Sequence, residues 1–166
     1  MGNNVHGCDM TFPPFFISSG GTASGFTLNA GNELMVNSGG AAVDTVVNDR
    51  SQFSIYGGTA SGTTVTSGGA AYLDSGVAYD TTVMSGGYFR VWHASASGIA
   101  VSAGGYLLIK STGVVSAVTI QSGGTAEVDK GGSLNSVTVM SGGVLIIDRE
   151  QCAVEGKMLE IDTSKN

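Results

Sequence analysis

Three sets of side chains in this 166-residue sequence are of types and spacings that could do chemistry. Asp44 and Asp80 fall at equivalent points of a repeated pattern, two repeats apart. Paired carboxylates carry out glycoside hydrolysis, an inverting pair standing roughly 6.5 to 9.5 Å apart. Two repeats of strand spacing put this pair roughly 10 Å apart. Gly62 lies between them, and no third acid or basic partner joins them, so catalysis is not expected there. His6, Cys8 and Asp9 lie close in sequence but are short of ligands and lack any usual metal spacing. The calcium-binding Gly-Gly-x-Gly-x-Asp pattern is also missing. Serine is everywhere, and the two histidines, His6 and His93, occupy atypical places, so no Ser-His-Asp set emerges. The sequence thus points to no enzyme, no cofactor and no metal. The third set is aromatic: Tyr72, Tyr88, Arg90, Tyr106 and Leu108 on one patch, with Trp92 at its border. Rings beside an arginine suit sugar stacking or a protein contact. The plainer reading is cross-strand packing of neighbours about 4.8 Å apart.

What must position these residues is a repeat of roughly 19 residues, one shorter in some copies, that occurs seven times. Its strong half runs through Asn29-Ala30-Gly31, Asn48-Asp49-Arg50, Ser67-Gly68-Gly69, Ser85-Gly86-Gly87, Ala103-Gly104-Gly105, Ser122-Gly123-Gly124 and Ser141-Gly142-Gly143. A weaker partner precedes it at a constant distance each time, at Gly20, Gly39, Gly57, Ser75, His93, Thr112 and Gly131. Aligning the copies gives three apolar columns, which begin at Leu28, Leu34 and Val36 and end at Val139, Leu145 and Ile147. All three read as core. Apolar and variable positions alternate between them, as in Tyr88-Phe89-Arg90-Val91, which is the period of a half-buried strand. Proline is absent after Pro14 and β-branched residues abound, which favours strand over helix. Glycine pairs supply positive φ where the chain turns.

A repeat this short cannot bury an apolar face alone, so the copies must stack. The expected fold is all-β, a single-stranded β-solenoid of about seven rungs, a rod on the order of 30 Å long. A turn of this length also suits a left-handed hexapeptide helix. The glycine pairs divide it into unequal parts instead of three equal ones, which makes that the second choice. The domain reading is an N-terminal capping segment over 1–16, the solenoid over 17–148 and a charged cap over 149–166. Pro13-Pro14 with Phe15-Phe16-Ile17 suits a segment that covers the first rung, and Arg149, Glu150, Glu155, Lys157 and Glu160 would discourage stacking at the other end.

Composition narrows the partners. The net charge is −6 with no basic cluster, which argues against nucleic acid and anionic membranes. Charged residues make up 12%, far below the usual quarter, so the surface must be mostly Ser, Thr, Asn and Gly. No apolar run is long enough to cross a bilayer as a helix, and residues 1–16 lack the basic start and long apolar segment of a secretory signal. Cys8 and Cys152 lie one in each expected cap. They stand free, bond head to tail between molecules, or bond within one chain. The last requires the first segment to run back along the whole rod. The second would make an open, end-to-end homopolymer.

Thr64-Val65-Thr66-Ser67-Gly68-Gly69, Thr82-Val83-Met84-Ser85-Gly86-Gly87 and Thr138-Val139-Met140-Ser141-Gly142-Gly143, with Gly57-Gly58-Thr59-Ala60 and Gly39-Gly40-Ala41-Ala42, resemble the two halves of AIDA-type autotransporter adhesin repeats. The resemblance covers roughly residues 17–148. It implies a right-handed parallel β-helix, extracellular or on the bacterial surface, acting in adhesion, self-association or biofilm formation. Its partners would be other copies of itself or a cell-surface glycan or protein, with no membrane insertion. Two cysteines depart from the pattern of a passenger that crosses the periplasm unfolded.

Overall fold

The computed structural model describes residues 4–6, 14–148 and 159–161, with the side chains of 14–148. The regular elements are all β-strands, and no helix occurs among the described residues. Every strand pair is parallel, and each residue faces its equivalent one repeat later: Tyr88 lies opposite Tyr106, and Thr125 opposite Val144. The chain is a β-solenoid of about seven stacked turns, as its repeat requires.

Each turn has three sides where the sequence suggested two segments. In the first turn these are Thr22–Ser24, Thr27–Leu28 and Glu33–Asn37. Left-handed residues mark the corners: Gly20, Gly25, Gly31 and Gly39 all have positive φ and are unevenly spaced along the chain. The corner between the expected two recurs as Gly25, Asp44, Gly62, Asp80, Gly98, Ala117 and Ser136. It divides the longer of the two expected segments, and the three sides remain unequal. The longest side presents three outward positions per turn, and each of the others presents two.

The two glycines of a strong pair serve different ends. The first, such as Gly86 with φ 72°, takes the backbone region that L-residues avoid. The second lies inside: a Cβ at Gly87 would stand 2.5 Å from the Val65 carbonyl oxygen of the turn below. One copy departs from the pattern. The left-handed residue is Gly76, not Ser75, because glycine adopts that conformation at less cost. The ladder slips there, with register shifts on either side of Ser75 against Gln52–Ser61.

Five columns fill the interior. The three expected ones are buried, Leu28, Leu34, Val36, Leu107 and Ile109 among them, except on the last described turn, where Leu145 and Ile147 are half-buried. A fourth is mostly alanine, from Ala23 and Ala42 through Ala96, then Val115 and Leu134. A fifth runs Phe26, Thr45, Thr63, Thr81, Ile99, Val118 and Val137. Size is balanced between turns: Ala71 lies opposite Phe53 on one side and Phe89 on the other. Mixing large and small residues across facing positions keeps such a core dense. The hydroxyls of Thr45, Thr63 and Thr81 are buried with no hydrogen-bond partner.

Candidate functional site

The side through Glu33–Asn37, Tyr88–Val91 and Tyr106–Ile109 forms a broad flat face. Parallel pairing in register turns equal sequence positions into straight columns of side chains. Tyr88 and Tyr106 share a column, with ring centroids 5.9 Å apart and planes 9° from parallel. Tyr72 continues the group at 6.0 Å from Tyr88, tilted by 59°. The middle column places Tyr72, Arg90 and Leu108 on successive turns.

Arg90 is the hub. Its guanidinium carbon lies 4.7 Å from the Tyr72 ring centroid and 5.7 Å from that of Trp92. Its Nη2 donates to Asp74 Oδ1 at 2.5 Å, in a pair with side chains 26% and 17% exposed. Its Nε is buried without a partner. A cation between two ring faces is held by their quadrupoles as well as by the carboxylate. The slipped corner at Ser75 follows directly after Asp74.

Other charged side chains of the face have hydrogen-bond or ion-pair partners within it. Tyr106 donates its hydroxyl to Glu127, Gln52 Nε2 donates to Glu33 Oε1 at 3.0 Å, and Lys110 Nζ stands 3.6 Å from Asp129 Oδ2. Burial raises the Tyr88 phenol above its ordinary value of 10.0, while the Arg90 charge pulls it down. Trp92 stands at the rim, 40% exposed, beside His93 at 4.8 Å between ring centroids. His93 Nδ1 pairs with Thr112 Oγ1 at 2.5 Å across the corner.

The structure therefore gathers Tyr72, Tyr88, Arg90, Trp92, Tyr106 and Leu108 on one face. Sequence reading passed over Asp74, the role of Glu127, and exposed Tyr56 in the rim column. The signal was present, since Asn37, Tyr56, Asp74, Trp92, Lys110 and Asp129 hold one outward position of successive copies. Asp44 and Asp80 are both exposed on the third corner, so neither is screened from water. Their side chains lean over glycines instead, Asp80 Oδ1 standing where a Cβ at Gly98 would come within 2.6 Å. Among the described residues no group of three or more His, Cys, Asp or Glu could hold a metal. Cys8, Cys152, His6 and Asp9 lie outside the residues whose side chains are described.

Fold and face together define a class of protein: a repetitive β-solenoid with one decorated side. Residues 15–69 match the family described as "Adhesin of bacterial autotransporter system, probable stalk". Over that stretch the repeats are similar to those of the adhesin stalk family. No curated protein matches the chain. Among solved structures, one that matches is a TibC-catalyzed hyper-glycosylated TibA fragment, 25% identical over 84% of this chain and 73% of that one, with a TM-score of 0.40.

Proposed function

We propose that this chain is a non-enzymatic stretch of a surface-displayed adhesin stalk, and that its broad face makes the contacts of adhesion or self-association. The observation that carries this reading is the segregation of side chains. Tyr56, Tyr72, Tyr88, Tyr106 and Trp92 share one face, whereas the outward columns of the other two sides carry one aromatic residue, Tyr79, and no charged residue among the described residues. Tyr56 and Trp92 are exposed and the other three rings are half-buried beside them; aromatic surface rimmed by polar groups marks interaction sites. The family match to an adhesin supports the same reading and favours an extracellular or cell-surface setting.

The test is clumping of beads coated with the protein, compared among the wild type, Tyr88→Ala, Tyr106→Ala and the narrow-face variants Thr82→Ala and Thr119→Ala. Loss of clumping in the tyrosine variants alone supports the proposal. Equal clumping in all five proteins refutes it.

End-to-end assembly through the terminal turns is the second reading. A parallel ladder in register can be extended by another copy, and the inward-facing Leu145 and Ile147 of the last described turn are only half-buried. Filaments under negative stain that disappear on reduction would assign the joint to Cys8 and Cys152.

A further inference from the structure

We infer that Tyr88 and Tyr106 form an oxidative cross-linking site: one-electron oxidation of both phenols joins their rings as dityrosine and fastens two neighbouring turns of the solenoid to each other. This holds whatever the broad face binds.

Proximity favours the pair. Tyr88 and Tyr106 are register partners in a parallel ladder, so their backbones run about 4.8 Å apart. Their rings stack, with centroids 5.9 Å apart and planes 9° from parallel. Both side chains are half-buried, and each turns a ring face to the other. A radical formed on one therefore has its coupling partner already in place, the condition that gives reactions within one molecule their high effective concentration.

Charge singles out this pair among the five tyrosines. Losing an electron turns a phenol into a strong acid, so the electron leaves most easily where a base takes the proton. Tyr106 donates its hydroxyl to Glu127, a carboxylate placed to take that proton. Tyr72 also neighbours Tyr88, at 6.0 Å, but it is tilted by 59° and has the Arg90 guanidinium 4.7 Å from its ring centroid. A cation over a ring face is held by the electrons of that ring and opposes their removal. Tyr56 and Tyr79 stand 42% and 46% exposed, where coupling would join two molecules instead of two turns.

Each phenol gives one electron to a diffusible one-electron oxidant and one proton, from Tyr106 to Glu127 and from Tyr88 to water. The two phenoxyl radicals then form one carbon–carbon bond between ring carbons next to the hydroxyls. The hydrogens on those carbons move to the oxygens, which restores both hydroxyls and leaves the chain lighter by two hydrogen atoms. Two equivalents of oxidant are reduced. The bond closes the loop from Tyr88 to Tyr106 and so restricts the unfolded chain, as other cross-links do.

The experiment oxidises the dilute purified protein with tris(bipyridine)ruthenium(III), regenerated by light and persulfate, and follows dityrosine fluorescence and the masses of tryptic peptides. Trypsin cuts after Arg50, Arg90 and Lys110. The expected product is a monomer lighter by two hydrogen atoms in which peptides 51–90 and 91–110 stay joined. Its urea midpoint should exceed that of Tyr106→Phe treated in the same way. Tyr88→Phe and Tyr106→Phe keep the rings without a phenol, and each should lose the product, while Tyr56→Phe, Tyr72→Phe and Tyr79→Phe retain it. Glu127→Gln should slow its formation severalfold. Joined peptides that survive in Tyr106→Phe, cross-linked dimers without the monomeric product, or no dityrosine at all overturns the inference.

Discussion

The broad face and the two narrow faces are made by the same repeat, yet they have diverged. On the narrow sides the outward columns read Thr64, Thr82, Ala100 and Thr119, or Ser95, Ser97 and Ser116, a mostly small and polar coat interrupted by exposed Tyr79, Met84, Val114 and Met140. Its hydrogen bonds are modest ladders, such as Asn48 to Asn29 at 2.8 Å and Thr66 to Asn48 at 2.6 Å. On the broad side the same kind of position holds Tyr88, Arg90 and Trp92. Folding needs only the inward columns and the corners, which all three sides share. The difference teaches that the narrow sides are scaffold and the broad side is specialised.

Breaking the comparison altogether requires the shared interior. Phe89→Ala removes a fully buried ring and should cost about 3–5 kcal/mol in urea unfolding. That loss would impair every face alike. Arg90→Ala acts on the broad face only: it leaves Asp74 without its partner and frees the Tyr72 and Trp92 rings, for an expected loss of about 1–2 kcal/mol. Thr63→Val should instead stabilise by about 1 kcal/mol, since it replaces a buried hydroxyl that has no hydrogen bond with a methyl group of similar size. A stability loss in that variant would mean the hydroxyl is satisfied after all. The smallest effect is alkaline. The Tyr88 phenol is raised by burial, so its contribution to stability is full below pH 10.0. The contribution falls as the unfolded phenol ionises above that pH and is lost above the folded value. Tyr88→Phe should abolish this part of the alkaline decline in denaturant midpoint.

Most of the fold was legible because the three expected inward columns hold only apolar residues. The column from Val36 to Ile147 has no polar member, and glycine pairs mark two of the corners. The third corner was hidden because Asp44, Asp80, Ala117 and Ser136 adopt positive φ without being glycine. The fifth core column was hidden for a similar reason: three threonines interrupt it, and threonine reads as surface. The aromatic patch followed from register alone, since stacking in phase converts spacing into adjacency. Asp74 did not, because its place beside Arg90 accompanies the slipped corner at Gly76, a local irregularity that no column predicts.

The central claim is that the broad face makes the contacts, and hydroxyl-radical footprinting of the clumped against the dispersed protein tests it most directly. Side chains of matched exposure stand on both kinds of face: Tyr56 at 42% and Trp92 at 40% on the broad side, Tyr79 at 46%, Met84 at 43% and Met140 at 44% on the narrow ones. The account predicts that clumping protects Tyr56 and Trp92 while Tyr79, Met84 and Met140 oxidise at the same rate as before. Protection of those three with Tyr56 and Trp92 unchanged would contradict it.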